Sequence, residues 1–251
     1  MLRPVADDAL VQASFAELTH ILRWLDERDV TESSGPGTVL IGGWAVYAYN
    51  PYFGSLDIDL VTSSRTRGSL MQHLRDERGF QRVADDQLTF RGVRLHIPGV
   101  GDVKIDFATF EWLDQFEDVD AVLDYGLFRE RAVRETVGGL RIALPDRGTL
   151  LLSKLKAAWD RRSRLEGGRS SDAGWERGKY VKDLADILAL IDPDRGGNEI
   201  DLVFMRGSLL EYGFLVGVVE MAGSEVAGAE RYGVDPAYAR SITTRLLDLT
   251  L

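Results

Sequence analysis

The sequence predicts an α+β fold: strands and helices mixed as far as residue 145, then a helical C-terminal half from 146 to 251. Three observations predict it. Short β-like runs, Val39-Leu-Ile41 and Leu56-Asp-Ile-Asp-Leu-Val61, are interleaved with segments of helical period. The strand signals stop at Pro145-Asp146. Beyond that point apolar residues recur almost entirely at helical spacing.

The elements follow in order. Leu10, Phe15, Leu18, Ile21, Leu22 and Leu25 repeat at helical spacing, so 8–29 is expected to be an amphipathic helix. Thr31-Glu-Ser-Ser-Gly-Pro-Gly37 is turn chemistry. Residues 38–42 read as a strand, 43–49 as a short helix, 55–62 as a strand and 66–78 as a helix stopped by Gly79. Short β segments are expected near 80–84, 87–91 and 93–97. Val103-Lys-Ile-Asp-Phe-Ala108 alternates and reads as a strand, with another at 140–144. Helices are expected at 146–165, about 174–191, 197–222 and 235–249, with a polar, glycine-rich flexible link over 166–174. This divides the chain into two expected domains, 1–145 and 146–251, with no internal repeat.

Composition narrows the chemistry. The chain has 251 residues, 45% hydrophobic and 28% charged, enough for real cores. It has no cysteine, which removes disulfides, a thiolate nucleophile and zinc–thiolate sites. His20, His73 and His96 show no metal-ligand spacing. No run of 18 apolar residues occurs and MLRPVADDAL lacks a signal-peptide pattern, so a cytoplasmic protein without a membrane partner is expected. The net charge of −10 disfavours nonspecific nucleic-acid binding. Five lysines stand against twenty-five arginines, and low lysine with excess acid resembles halophilic, salt-adapted proteins. Four of the five lysines fall between 154 and 182.

Two carboxylates inside an apolar strand ask for an explanation. Alternation places Asp57 and Asp59 on one face, with Leu56, Ile58 and Leu60 turned to a core. Carboxylates this close resist joint ionisation unless a cation stands between them. Mg²⁺ prefers hard oxygen ligands and commonly links one or two carboxylates to substrate phosphates. Asp106 lies in a similar apolar strand; if that strand pairs with 56–61, three acids can serve metal-assisted phosphoryl chemistry. Gly42-Gly43 ends a strand and opens a helix, leaving backbone N–H groups for a phosphate. Ser55 is placed to offer a hydroxyl to the same phosphate.

Gly42-Gly43, then Asp57-Ile-Asp59, then Asp106 resembles the signature of the nucleotidyltransferase superfamily with the DNA polymerase β fold. The resemblance implies a mixed β-sheet with flanking helices, with the first two acids binding metal and the third completing the site and helping to activate the attacking hydroxyl. Gly-Gly-Trp-Ala-Val46 is similar to aminoglycoside and lincosamide adenylyltransferases. The gap to Ser55-Leu-Asp-Ile-Asp59 is closer to the AbiEii/MenT toxins of type IV toxin–antitoxin systems. Thr149-Leu-Leu-Leu-Ser-Lys154-Leu-Lys-Ala157 resembles that group's lysine-bearing helix, and Lys182-Asp183-Leu-Ala-Asp186 its later acidic helix. By that resemblance Lys154 grips nucleotide phosphates and Asp183 is a further site acid, with Asp186 the lesser candidate. The likeness spans roughly 38–190; where the group often has an arginine, this chain has Phe53.

The function this implies is Mg-dependent transfer of a nucleoside monophosphate from an NTP to an acceptor hydroxyl, the tRNA 3′ end, by a toxin with a cognate antitoxin. Two alternatives compete: a small-molecule nucleotidyltransferase acting on an aminoglycoside-type hydroxyl, and a non-catalytic binding protein on the same fold. From the residues alone, Trp44 is expected to pack beneath its helix. Arg161, Arg162 and Arg164 suit either RNA phosphates or a charged helix end, and His96 reads as an ordinary strand residue.

Overall fold

The computed structural model describes residues 8–28, 35–83, 92–137 and 139–250. They fall into two compact units, one within Met1–Trp112 and Asp124–Pro145, the other Leu113–Leu123 with Asp146–Leu251.

The first unit opens with α1 (Ala9–Asp26), where Asp8 caps the N-terminus by accepting from the Leu10 and Val11 amides. Its apolar face buries Val11, Leu18, Ile21 and Leu22. There follow β1 (Thr38–Ile41), α2 (Gly42–Tyr49), β2 (Asp57–Thr62) and α3 (Ser64–Arg78). Gly79 ends α3 in the left-handed conformation, φ 73°, which is a glycine stop. Next come β3 (Gln81–Arg82), β4 (Val93–Ile97) and β5 (Gly101–Thr109). The short strands β6 (Leu113–Gln115) and β7 (Val122–Asp124) form a separate two-stranded sheet. Then α4 (Gly126–Glu130), β8 (Ala132–Val137) and β9 (Leu140–Pro145) return to the first unit. The β segment expected over 87–91 lies outside the described residues.

Seven strands make one mixed sheet in the order β3-β4-β5-β2-β1-β9-β8. β1 is antiparallel to β2 and parallel to β9, and β2 is parallel to β5. This is the α+β architecture the sequence predicts. β8 was not expected, for a physical reason. It is an edge strand of sequence Ala-Val-Arg-Glu-Thr-Val, exposed over four consecutive residues, so it lacks the alternation that marks a half-buried strand.

The second unit contains α5 (Arg147–Glu166), α6 (Ala173–Ile191), α7 (Leu202–Glu211), α8 (Val216–Ser224), α9 (Val226–Tyr232) and α10 (Pro236–Leu247). The C-terminal half of α6 is buried on all sides: Leu184, Ala185, Ile187, Leu188, Ala189 and Leu190 have no exposed surface. The single helix expected over 197–222 is broken. Leu202–Glu211 and Gly213–Ser224 are bent by 106°. The break lets Phe214 pack edge-on to Phe116 at 5.1 Å and against Trp159 at 4.8 Å, while the Tyr212 hydroxyl donates to the Val122 carbonyl. These ring contacts, with Leu215 fully buried beside them, offset the few helical bonds lost. Among the described residues no single helix is long and apolar enough to cross a membrane.

Candidate active site

The parallel register of β2 and β5 sets Asp59 opposite Asp106 and Asp57 opposite Lys104. Residues paired in register share a face, so all four side chains stand on one side of the sheet. Ile58, Leu60, Ile105 and Phe107 are buried on the other. The strand pairing on which Asp106 depended is therefore present, and the three acids are half-buried.

Gly42 stands against this face. Its φ is 68°, and a Cβ there would lie 1.9 Å from Asp59 Oδ2. Glycine is required twice, for the left-handed backbone and for the space that the carboxylate fills. Gly43 is buried in the first turn of α2, whose N-terminus has no side-chain cap, so its leading amides are uncommitted within the helix. Gly42→Ala is expected to cost about 1–3 kcal/mol from the backbone alone and to displace Asp59, read as a lower urea midpoint. Ser55 is buried, 4% exposed, two residues before Asp57.

Two residues of this face escaped the sequence reading. Lys104 is exposed beside Asp57, and its signal was present: it lies two positions before Asp106, hence on the same face. Gly92 is the other; a Cβ there would lie 2.5 Å from Asp106 Oδ1. No local pattern marks it, because only the β4–β5 pairing brings it there.

The donor set is chemically suited to Mg²⁺, being carboxylate oxygen throughout. Among the described residues, however, no three His, Cys, Asp or Glu side chains stand together as a ready metal cluster. The acids as arranged offer a metal fewer than three side-chain groups. That fits Mg²⁺, which usually keeps its other positions for phosphate oxygens and water.

The remaining predicted residues lie in the helical unit. Lys154 on α5 is buried, with Nζ 3.1 Å from Asp183 Oδ1 and 2.7 Å from Asp186 Oδ2 on α6. Arg161, two helical turns beyond Lys154, donates to Asp183 Oδ2 at 2.8 Å and to Glu176 Oε1 at 3.1 Å. Lys182 donates to Asp186 at 2.8 Å. Burial pushes the Asp183 carboxyl up, but the charges of Lys154, Arg161 and Lys182 outweigh it and hold the group well below the carboxylate range. Asp186 is depressed by the same contest, burial against Lys154 and Lys182. Asp186, the lesser candidate from sequence, is thus as central here as Asp183.

No protein-family model and no curated protein matches the chain. Several solved structures resemble it. One is ANT(2")-Ia in complex with adenylyl-2"-tobramycin, at 15% identity, 80% coverage of this chain and 99% of that chain, and a TM-score of 0.45. Another is an antigenic nucleotidyltransferase-like protein from Paracoccidioides brasiliensis, at 18% identity, 75% and 78% coverage and 0.39. A third is the lincosamide antibiotic adenylyltransferase LnuA with lincomycin bound, at 16% identity, 70% and 96% coverage and 0.39. Likeness at this level says nothing of activity.

Other sequence expectations meet their surroundings. Trp44 is fully buried, donates to Ser14 Oγ at 3.0 Å and packs on Phe15 and Tyr47. His96 sits on β4, 2.7 Å from Asp102. Arg161, Arg162 and Arg164 each pair with carboxylates, of Asp183, Glu176, Glu166 and Glu117, so the basic run is knitted into its own unit. The link after α5 is tied down as well, since Arg169 pairs with Asp118. Lys156 turns away from α6, as its spacing requires, but it is no idle surface lysine. It is 4% exposed and pairs with Asp114 at 2.9 Å and Asp160 at 2.6 Å.

Proposed function

We propose that the chain is a Mg-dependent nucleotidyltransferase that moves a nucleoside monophosphate from an NTP to an acceptor hydroxyl and releases pyrophosphate. The observation supporting it is the register of Asp59 with Asp106, with Asp57 on the same face and the glycine-opened helix α2 alongside. Mg²⁺, when bound, neutralises charge on the triphosphate and on the leaving pyrophosphate. Asp57 and Asp59 would hold it, with Asp106 nearest the acceptor. Asp106 accepts the hydroxyl proton or orients that hydroxyl; the oxygen forms the new bond to the α-phosphorus as the α–β bridge breaks. The Gly42 and Gly43 amides and the Ser55 hydroxyl cradle phosphate oxygens. Lys154 supplies a phosphate contact, and Asp183 holds its ammonium.

Asp106→Asn preserves volume and fold, so it is expected to lower turnover by about 10²-fold or more with an unchanged unfolding midpoint. A fully active variant would make Asp106 structural.

For the acceptor we favour the tRNA 3′ end, in a toxin countered by an antitoxin protein, on the spacing of Gly42-Gly43 to Ser55-Leu-Asp-Ile-Asp59. One observation favours a small-molecule hydroxyl instead: the arginines of 161–164 are occupied by acids of their own unit. Incubation with total tRNA, or with aminoglycosides, and each labelled NTP in Mg²⁺ separates the two by which product carries label. Label in neither, together with no NTP binding, would leave the binding-protein reading.

A further inference from the structure

A cavity of about 380 Å³ opens in the first unit at the opposite end of β1 from the acids. Its wall includes Trp24, Asp26, Arg28, Arg65, Arg134 and Arg141, together with Thr38 at the start of β1. Thr38 pairs with Thr62, whereas Ile41 pairs with Asp59. The cavity therefore lies three strand residues from the acid face, roughly 10 Å at ~3.3 Å per residue.

Among the described residues four guanidiniums line it with one carboxylate, Asp26, and Arg28 is also paired with Glu27 at 3.6 Å, which leaves two positive charges unbalanced around a small volume, in a chain of net charge −10. Their placement is not dispersed. Arg134 on β8 is opposite Ala143, and Arg141 on β9 is opposite Thr136. The two are diagonal neighbours on one face of the sheet, with Cβ atoms roughly 7–8 Å apart. Arg65 adds its charge in the first turn of α3, where the helix dipole is already positive and no acidic residue offsets it. Among the described residues, Arg65, Arg134 and Arg141 have neither a hydrogen bond nor an ion pair. Trp24 adds a second kind of unmet group: its indole Nε1–H is buried with no acceptor among the described residues.

Like charges gathered with too few counter-charges are unfavourable until an anion arrives. Planar guanidinium forks match phosphate oxygens in pairs. The volume is at the lower end of small-ligand sites, too small for a folded partner and adequate for a nucleotide-sized molecule. We propose that this cavity binds a small phosphorylated ligand carrying two or more phosphate groups, of the size and charge of a nucleoside diphosphate, at a site separate from the three acids.

The test is equilibrium binding to the full chain in EDTA, where metal-dependent binding at Asp57 and Asp59 is silent. The probes are ADP, inorganic pyrophosphate and a single-stranded RNA oligomer. ADP and pyrophosphate are expected to bind, at least tenfold more weakly to the Arg65→Ala/Arg141→Ala variant and unchanged to Asp57→Ala/Asp59→Ala. Both arginines are exposed, so the variant keeps its fold; Arg65→Lys/Arg141→Lys is expected to recover part of the affinity. No ADP binding, binding indifferent to the arginines, or loss of EDTA binding in the aspartate variant would overturn the proposal. Arginine-dependent binding of RNA alone would also overturn it, assigning the arginines to a phosphodiester backbone. Since the readout is metal-free binding, it stands or falls apart from the transferase reading.

Discussion

Replacing Asp57 and Asp59 together by alanine is expected to abolish Mg²⁺-dependent NTP binding while leaving the fold intact. The two carboxylates lie one pleat apart on β2, and Asp106 stands across from Asp59 on β5. In the absence of a cation the three neighbouring acids repel one another and repel a triphosphate as well; a bound cation offsets both. Removing two of the three takes away both the ion's ligands and the means of bringing a polyanion to an acidic face. Titration calorimetry with an NTP, with and without Mg²⁺, reads this directly: wild type binds only with the metal, the double variant in neither condition. Stability is expected to hold or rise slightly, because the change relieves like-charge repulsion on a half-buried face. Equal binding by the variant would remove the acids from any metal site.

Lys154→Ala is expected to lower unfolding free energy by about 3–5 kcal/mol, the usual cost of removing one partner of a buried ion pair. Lys154 and its partners Asp183 and Asp186 have side chains only 8%, 6% and 1% exposed. Its loss leaves two buried carboxylates with one fewer cation between α5 and α6. The pH dependence follows from the depressed carboxyls. Because the folded-state values of Asp183 and Asp186 lie below those of the unfolded chain, their contribution is complete above about pH 4 and is lost as pH falls through the depressed values. Without Lys154 the depression shrinks, so acid unfolding of the variant starts at higher pH. Urea melts across pH measure this. Turnover tests the phosphate contact separately: at a pH and temperature where both proteins are folded, a contact worth roughly 1.5–3 kcal/mol predicts at least a tenfold fall in catalytic efficiency. A stability loss with unchanged efficiency would make Lys154 a strut and nothing more. Lys156 is unsuitable as a neutral control, being buried in its own acid pairs.

Much of this protein is legible in its residue order. Alternation alone put Asp57 and Asp59 on one face, since a strand turns its side chains over at every residue whatever surrounds it. The glycine pair at 42–43 marked the strand-to-helix turn for an equally local reason, a backbone angle at Gly42 that other residues resist. The periodicity of α1, α5, α6 and α10 survived because each buries a stripe along its whole length. Where burial does not follow period, local reading failed. β8 is a charged edge strand, and the helix expected over 197–222 breaks where Phe214 packs on Phe116 and Trp159. Register and charge pairing belong to the tertiary structure alone. Whether Asp106 faced Asp59 depended on β5 lying parallel beside β2, a contact between residues 47 positions apart. Whether Lys154 was a solvated lysine or a buried cation depended on which face of α6 met it. Four arginines scattered from 28 to 141 became one basic cavity only because α1, α3, β8 and β9 converge at one end of the sheet. A sequence states which charges a chain carries; their energies depend on distance and burial, and only folding sets those.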